Sequence, residues 1–215
     1  MKSFDRVARI YQLLERAAFG RALERARFRY LDRLADCREI LIVGEGDGRV
    51  LERLLSIAPH ASVRCIDSSA AMLDLARRRL ETTARMRVQF ECADARAVDV
   101  DPMACDAVVT MFLLDCFSAQ EVVRLVDRLG RGLRPNGLWL FADFSIPAAG
   151  WHRVRAKLLV RFLYAFFRWQ TGLAVRELPP SEDILRDAGF HVLESTTLRG
   201  GLLRTAVYSR TRRRA

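Results

Sequence analysis

Apolar residues along this chain gather in short runs separated by longer amphipathic stretches. Residues 39–43, 62–66, 87–92, 105–111 and 137–143 are apolar-rich runs of five to seven positions, too short for most helices and the right length for strands. Between them, 47–57, 69–82 and 118–131 return apolar side chains at helical spacing. Strands joined by helical crossovers run parallel, and a parallel sheet is covered on both faces. The order therefore predicts an α/β fold, a doubly wound, Rossmann-like, mostly parallel sheet with helices on both faces. Phe190 to Thr196 and Leu202 to Ser209 alternate in character around Arg199-Gly-Gly201, which predicts a closing antiparallel hairpin and brings the strands to seven. Residues 4 to 34 read as a helical opening interrupted by Gly20. At 215 residues the chain has room for one domain with a full core, spanning 1–215.

The sharpest chemical signal is Glu39 to Leu51, where a strand runs into Gly44, Gly46 and Gly48 and then into a helix. Glycines there let the backbone turn at φ > 0 and approach a ligand closely, while the N–H groups of the following helix face the same ligand. The spacing is G-x-G-x-G, with Arg49 and Leu51 where a dinucleotide fingerprint would place a third glycine, so a pyrophosphate is not the favoured guest. A Gly-rich turn in another α/β protein is the plain alternative. Asp67 ends the second strand 21 residues after Gly46, and one carboxylate at such a tip can accept hydrogen bonds from both hydroxyls of a ribose. Ser68-Ser-Ala-Ala-Met72 opens the next helix, and the third strand ends at Ala93-Asp94-Ala95.

These residues, in this order, resemble the class I S-adenosylmethionine-dependent methyltransferases, and the resemblance covers nearly the whole chain. It implies the strand order 3-2-1-4-5-7-6, S-adenosylmethionine as cofactor, and no metal. It places Gly44, Glu45, Gly46, Asp47 and Gly48 around the methionine end, and Asp67 on the ribose. Met72 falls against the adenine, Asp94 on its amino group and the backbone of Ala95 on a ring nitrogen, with Ser68 and Met111 completing the cofactor contacts. The family often carries an acid two residues before the first glycine to hold the cofactor ammonium. Ile42 stands there in this chain, so Glu45, Asp47 or a loop carbonyl is expected to take that role. The opening segment is similar to that of the ubiquinone/menaquinone C-methyltransferases and their small-molecule relatives, in which it lies over the cleft. Phe4, Val7 and Tyr11 are then either lid residues of a helical lid over 1–34 or ordinary core.

Ligands of such a sheet bind beyond the carboxyl ends of its strands, at the switch point between the first and fourth. Asp115 and Asp143 follow the fourth and fifth strands and are the acids best placed to face an acceptor. For Asp115, capping of the next helix, with Ser118 close by, is the competing role. Asp115, Asp143 and His152 are the ordered candidates for a catalytic base, His152 also reading as a surface residue at a helix start.

Trp151 to Gly172 predicts a basic amphipathic helix. Arg153, Lys157, Arg161 and Arg168 fall within about 80° of one another, and Leu158, Leu159, Phe162, Leu163, Phe166 and Phe167 cover much of the rest. Such a helix covers a sheet, walls a pocket for a lipid-like substrate, or lies on an anionic bilayer. The net charge of +10 suits an anionic partner, yet an arginine-rich composition produces it without one. No apolar run reaches the roughly 20 residues of a membrane span, and the start lacks a signal-peptide core. The expectation is a cytoplasmic enzyme, peripheral to the membrane at most. The five cysteines, without C-x-x-C spacing, read as buried free thiols, and the three histidines are too scattered for a zinc site.

Methyl transfer to a small, apolar or lipid-like acceptor, quinone-type or related, is the expected function. RNA or protein methylation is the alternative the charge supports. It is opposed by the apolar Met111-Phe-Leu-Leu114, which stands where nucleic-acid enzymes carry an N/D-P-P-Y-type motif, so a nucleic-acid partner is not expected. A non-catalytic cofactor-binding protein is the third reading.

Overall fold

The computed structural model describes residues 20–147, 149–151, 153, 154, 156, 158 and 177–210. Seven strands form one sheet: β1 (Glu39–Val43), β2 (Ser62–Asp67), β3 (Val88–Cys92), β4 (Cys105–Met111), β5 (Leu133–Phe144), β6 (Phe190–Leu198) and β7 (Leu203–Arg210). Their spatial order is β3-β2-β1-β4-β5-β7-β6, with β1 to β5 parallel and β7 antiparallel to both β5 and β6. The expected order and pairing are therefore found.

Helices α1 (Ala22–Phe28), α2 (Arg49–Ile57), α3 (Ala70–Arg79), α4 (Thr82–Arg85), α5 (Ala119–Gly132) and α6 (Ser181–Asp187) surround the sheet. Successive strand residues point to opposite faces, so β5 sends Trp139 and Phe141 one way and Leu140 and Ala142 the other. The first face packs with Leu125, Val126 and Leu129 of α5 and Leu185 of α6. The second packs with Leu51 and Leu54 of α2 and Leu73 of α3. Two apolar layers on one buried sheet account for its near-continuous apolar strands.

The structure corrects several boundaries. The helix expected over 47–57 starts at Arg49, because Gly46 and Gly48 are left-handed. That expected over 69–82 ends at Arg79 and resumes as α4. β5 begins at Leu133 rather than 137: Asn136, at φ 62°, and a register shift between Cys105 and Ala107 let the strand pair on both sides of the Arg134-Pro-Asn-Gly137 turn. α6 was not anticipated, being only seven residues long behind two prolines.

The thiols also differ from expectation. Cys65 and Cys105 are buried and Cys37 is half-buried, but Cys92, which ends β3, and Cys116, in the turn after β4, are exposed. Phe4, Val7 and Tyr11, His152, most of 151–172 and the arginine tail after Arg210 lie outside the described residues. Of the segment 151–158, Trp151, Arg153, Val154, Ala156 and Leu158 are described, and all five are helical. Among the described residues no helix is long and apolar enough to cross a membrane.

Candidate functional site

Beyond Val43 the chain turns through three left-handed glycines, Gly44 (φ 75°), Gly46 (φ 71°) and Gly48 (φ 86°), before entering α2. They do different work. A Cβ on Gly44 would lie 2.7 Å from Leu113 Cδ1, and one on Gly48 would lie 2.6 Å from Ala76 Cα, so the outer two let the loop close against the segment after β4 and against α3. Around Gly46, among the described residues, there is no atom beyond its own chain neighbours within 4 Å of a Cβ position. The middle glycine borders open space, which is what a ligand cradle requires.

Asp67, at the tip of β2, ties this loop to the next helix. Its Oδ2 accepts the Gly46 N–H and its Oδ1 the Ser69 N–H, each at 2.9 Å. Burial raises its pKa and the backbone donors oppose the rise. Ser69, not Ser68, caps α3 by accepting the Met72 N–H; Ser68 is exposed and Met72 half-buried.

The loop acids part company. Asp47 pairs with Arg49 at 2.9 Å and Arg79 at 3.4 Å. Glu45 accepts the Leu51 N–H at 2.9 Å. Burial pushes its pKa up to about 8 against the pull of that N–H and of Arg27, with Asp47 and Asp67 adding to the rise.

At the end of β3, Asp94 caps the 3-10 turn Ala95–Ala97, and Ala95 is buried. The Arg96 guanidinium grips the Asp94 carboxylate and holds its pKa below the usual range. Met111, at the end of β4, is buried. The next residue, Phe112, is left-handed at φ 54°, an uncommon conformation for a bulky side chain. Its N–H donates to the Ala142 carbonyl at 2.7 Å, its ring meets Phe144 edge-on at 5.4 Å, and the Arg27 guanidinium stands 5.1 Å from its centroid.

Asp115 lies in the 3-10 turn Leu114–Cys116, and Ser118 caps α5 in a reciprocal box with Glu121. Helix capping therefore falls to Ser118. Asp115 donates its backbone N–H to Asp143 Oδ2 at 3.1 Å, and both carboxyls are buried. Burial pushes the pKa of Asp115 up to about 6, and burial and the Asp115 charge together hold that of Asp143 well above the ordinary range. A pair so placed holds on to a proton near neutrality and can exchange it with a neighbour.

The structure thus gathers Gly44, Glu45, Gly46, Gly48, Asp67, Asp94, Ala95, Met111, Asp115 and Asp143 around the carboxyl ends of β1 to β5. Asp47 turns to its arginines, and His152 is not among the described residues. Arg27 and Arg96 were missed: the sequence marks neither, since each gains its meaning from a neighbour across the fold. A groove of about 450 Å³ opens at the opposite, amino ends of the strands, lined by residues such as Glu39, Ser62, Arg64 and Asp99, and the glycine loop does not border it.

Residues 40–137 match the family model described as a methyltransferase domain. A malonyl-[acyl-carrier protein] O-methyltransferase of Paenibacillus sp. (strain JDR-2) is 27% identical over 157 residues, covering 72% of this chain and 56% of that protein. A demethylmenaquinone methyltransferase of Thermotoga maritima is 31% identical over 138 residues, covering 61% and 58%. The chain thus spans a little over half the length of these curated relatives. Among solved structures, the mitomycin 7-O-methyltransferase MmcR superposes with a TM-score of 0.69 at 19% identity, over 94% of this chain and 57% of that one. An S-adenosylmethionine-dependent methyltransferase from Mesorhizobium loti gives 0.65 at 16%, over 86% and 98%. These two structures speak for the fold alone. With the glycine loop, the acid at the tip of β2 and the sheet order already in place, residues 40–137 are similar to a methyltransferase domain, and the curated relatives that match this chain are themselves methyltransferases.

Proposed function

We propose that this chain transfers a methyl group from S-adenosylmethionine to a small, apolar acceptor of the quinone type or a relative of it. The observation that carries the cofactor half of this reading is the Asp67 carboxylate, pinned by Gly46 and Ser69 at the rim of the glycine loop. The site fits the cofactor. Gly46 borders free space, and a carboxylate with about four lone-pair sites, two of them taken by N–H groups, keeps capacity for a ribose diol. Met72 and Ala95 would flank the adenine, Asp94 would take its amino group, and Glu45 is the loop acid that would receive the ammonium.

When bound, S-adenosylmethionine supplies a sulfonium methyl that is already activated. What remains for the protein is to hold the acceptor atom in line and keep water away. Phe112 and Phe144, both partly exposed, offer apolar surface at the ends of β4 and β5. Asp115, its pKa raised to about 6, is the member that takes the proton of a hydroxylated acceptor, beside Asp143, whose pKa is also raised, and the charge the pair carries disfavours an acceptor that is itself a carboxylate. The demethylmenaquinone methyltransferase among the relatives supports the same acceptor class.

Peripheral membrane contact belongs to this reading. Trp151, Val154 and Leu158, spaced to share one helical face, are 70%, 49% and 62% exposed, while Ala156 packs inward with Leu23, Leu202 and Leu203. An outward apolar stripe in a chain of net charge +10 suits the surface of an anionic bilayer. Incubating the protein with labelled S-adenosylmethionine and a cell extract tests the function. Label in the lipid-soluble fraction is expected, label in protein or nucleic acid would overturn the acceptor class, and absence of cofactor binding would overturn the whole reading.

A further inference from the structure

Arg96 lies two residues beyond Asp94, in the 3-10 turn Ala95–Ala97 that follows β3. Its Nε reaches Asp94 Oδ1 at 3.0 Å and Oδ2 at 3.1 Å, and a terminal nitrogen reaches Oδ2 at 2.9 Å. The same guanidinium bonds Glu121 Oε1 at 3.2 Å and stands 5.7 Å from the Phe117 ring centroid. Glu121 belongs to the capping box of α5, so Arg96 bridges the turn after β3 to the start of the helix after β4. α5 returns the grip: Arg128 donates to the carbonyls of Arg96 and Val98. The Arg96 N–H completes the set by donating to Asp94 Oδ1 at 2.8 Å.

Three N–H donors of one residue, with the Nε–H shared between both oxygens, occupy about three of the four acceptor sites of the Asp94 carboxylate and fix its plane. They also favour its ionised form, in which it only accepts hydrogen bonds. An ionised, immobilised acceptor with little capacity to spare welcomes one N–H donor and repels an oxygen. An exposed ion pair by itself contributes little to stability, and Arg96 is 60% exposed. The meaning of this cluster is therefore orientation rather than folding.

We propose that Arg96 is a specificity-determining positioning residue of the cofactor site: by locking Asp94 as an oriented acceptor it makes the site take a 6-aminopurine and reject a 6-oxopurine. The inference rests on the proposed cofactor reading, in which Asp94 faces the purine amino group. A lysine, lacking the planar fork, restores charge but not orientation.

The test is calorimetric titration of wild type, Arg96→Met, Arg96→Lys and Asp94→Asn with S-adenosylhomocysteine and with its 6-oxo analogue, S-inosylhomocysteine. Wild type is expected to prefer the amino form by about tenfold or more, because a site built for a donor rejects the ligand that lacks it. Arg96→Met should lower that ratio at least about threefold through weaker binding of the amino form, with the melting temperature of the free protein little changed; Arg96→Lys should fall between. Asp94→Asn should bring the ratio near one. An unchanged ratio in Arg96→Met, or a wild-type ratio near one, overturns the inference while leaving the cofactor assignment standing. Wild type that binds neither compound sinks the cofactor assignment and this inference with it.

Discussion

The backbone N–H of Asp115 donates to Asp143 Oδ2 at 3.1 Å, so the loop after β4 hangs on the carboxylate that ends β5. The other oxygen of Asp143 accepts the Phe144 N–H at 2.8 Å. Cys116 adds a long contact from Sγ to Asp115 Oδ1 at 3.7 Å. Two buried acids held this closely titrate as a pair rather than as individuals.

Stability should carry the mark of that pair. Both folded pKa values are raised, Asp115 to about 6 and Asp143 well above its ordinary value, so the folded chain keeps protons that an unfolded Asp, near 3.9, releases. The resulting stabilisation is complete below about pH 4 and fades as the pH rises through about 6 and beyond. Asp143→Asn, neutral throughout, does not lose it. Its melting temperature relative to wild type should therefore climb between about pH 5 and about pH 8, and a difference flat with pH would show that the pair does not titrate there.

Turnover is the second readout of the same residues. With Ser118 in the capping position, Asp115→Asn should keep the stability of α5 and leave cofactor affinity within a few-fold. Single-turnover methylation of a hydroxylated acceptor should fall by about 10²-fold or more, the scale of general base catalysis. Full activity in this variant would remove Asp115 from the chemistry.

Glu45 gives a test of where the cofactor ammonium rests. With its pKa raised to about 8, most of this group is protonated at neutral pH, and a cation placed beside it lowers that pKa and expels the proton. Binding measured at pH 7 in buffers of different ionisation enthalpy should report release approaching one proton, absent in Glu45→Gln. Release that persists in the variant would move the ammonium to another group.

The loop glycines should separate into two kinds. Gly46→Ala and Gly48→Ala share the left-handed penalty of about 1 kcal/mol. Only at Gly48 does the new carbon also meet backbone, Ala76 Cα at 2.6 Å. Gly48→Ala should thus lower the melting temperature clearly more, while Gly46→Val should abolish S-adenosylhomocysteine binding by filling the cradle. Retained binding in Gly46→Val would mean that the space beside Gly46 is not the cofactor's.

Asp67 and Asp94 should differ in weight. Asp67 orients the loop as well as facing the ribose, and charged hydrogen bonds contribute about 1.5–3 kcal/mol each. Asp67→Ala should weaken cofactor binding by about tenfold or more, and Asp94→Ala by less, since most of its bonding capacity is spent on Arg96. Equal and negligible losses would show the adenosine to be elsewhere.

What the sequence determined by itself was the layered scaffold and the loop. Runs such as Ile40 to Val43 and Ala107 to Met111 are buried on both faces, so their apolar character is continuous and needs no partner to be recognised. The three glycines and the acid 21 residues beyond the second are likewise local or regularly spaced, because the turn demands φ > 0 and the crossover has a fixed length. Tertiary structure alone decided the rest. Which serine caps which helix, whether Asp115 faces a helix or Asp143, and that Asp47 turns to Arg49 and Arg79 depend on side chains brought together from separate elements. The pKa of Glu45 near 8 exists only because folding removes its water, and the role of Arg96 exists only because α5 returns beside the end of β3. Periodicity records which face a residue turns to the core; it carries no record of what meets it there.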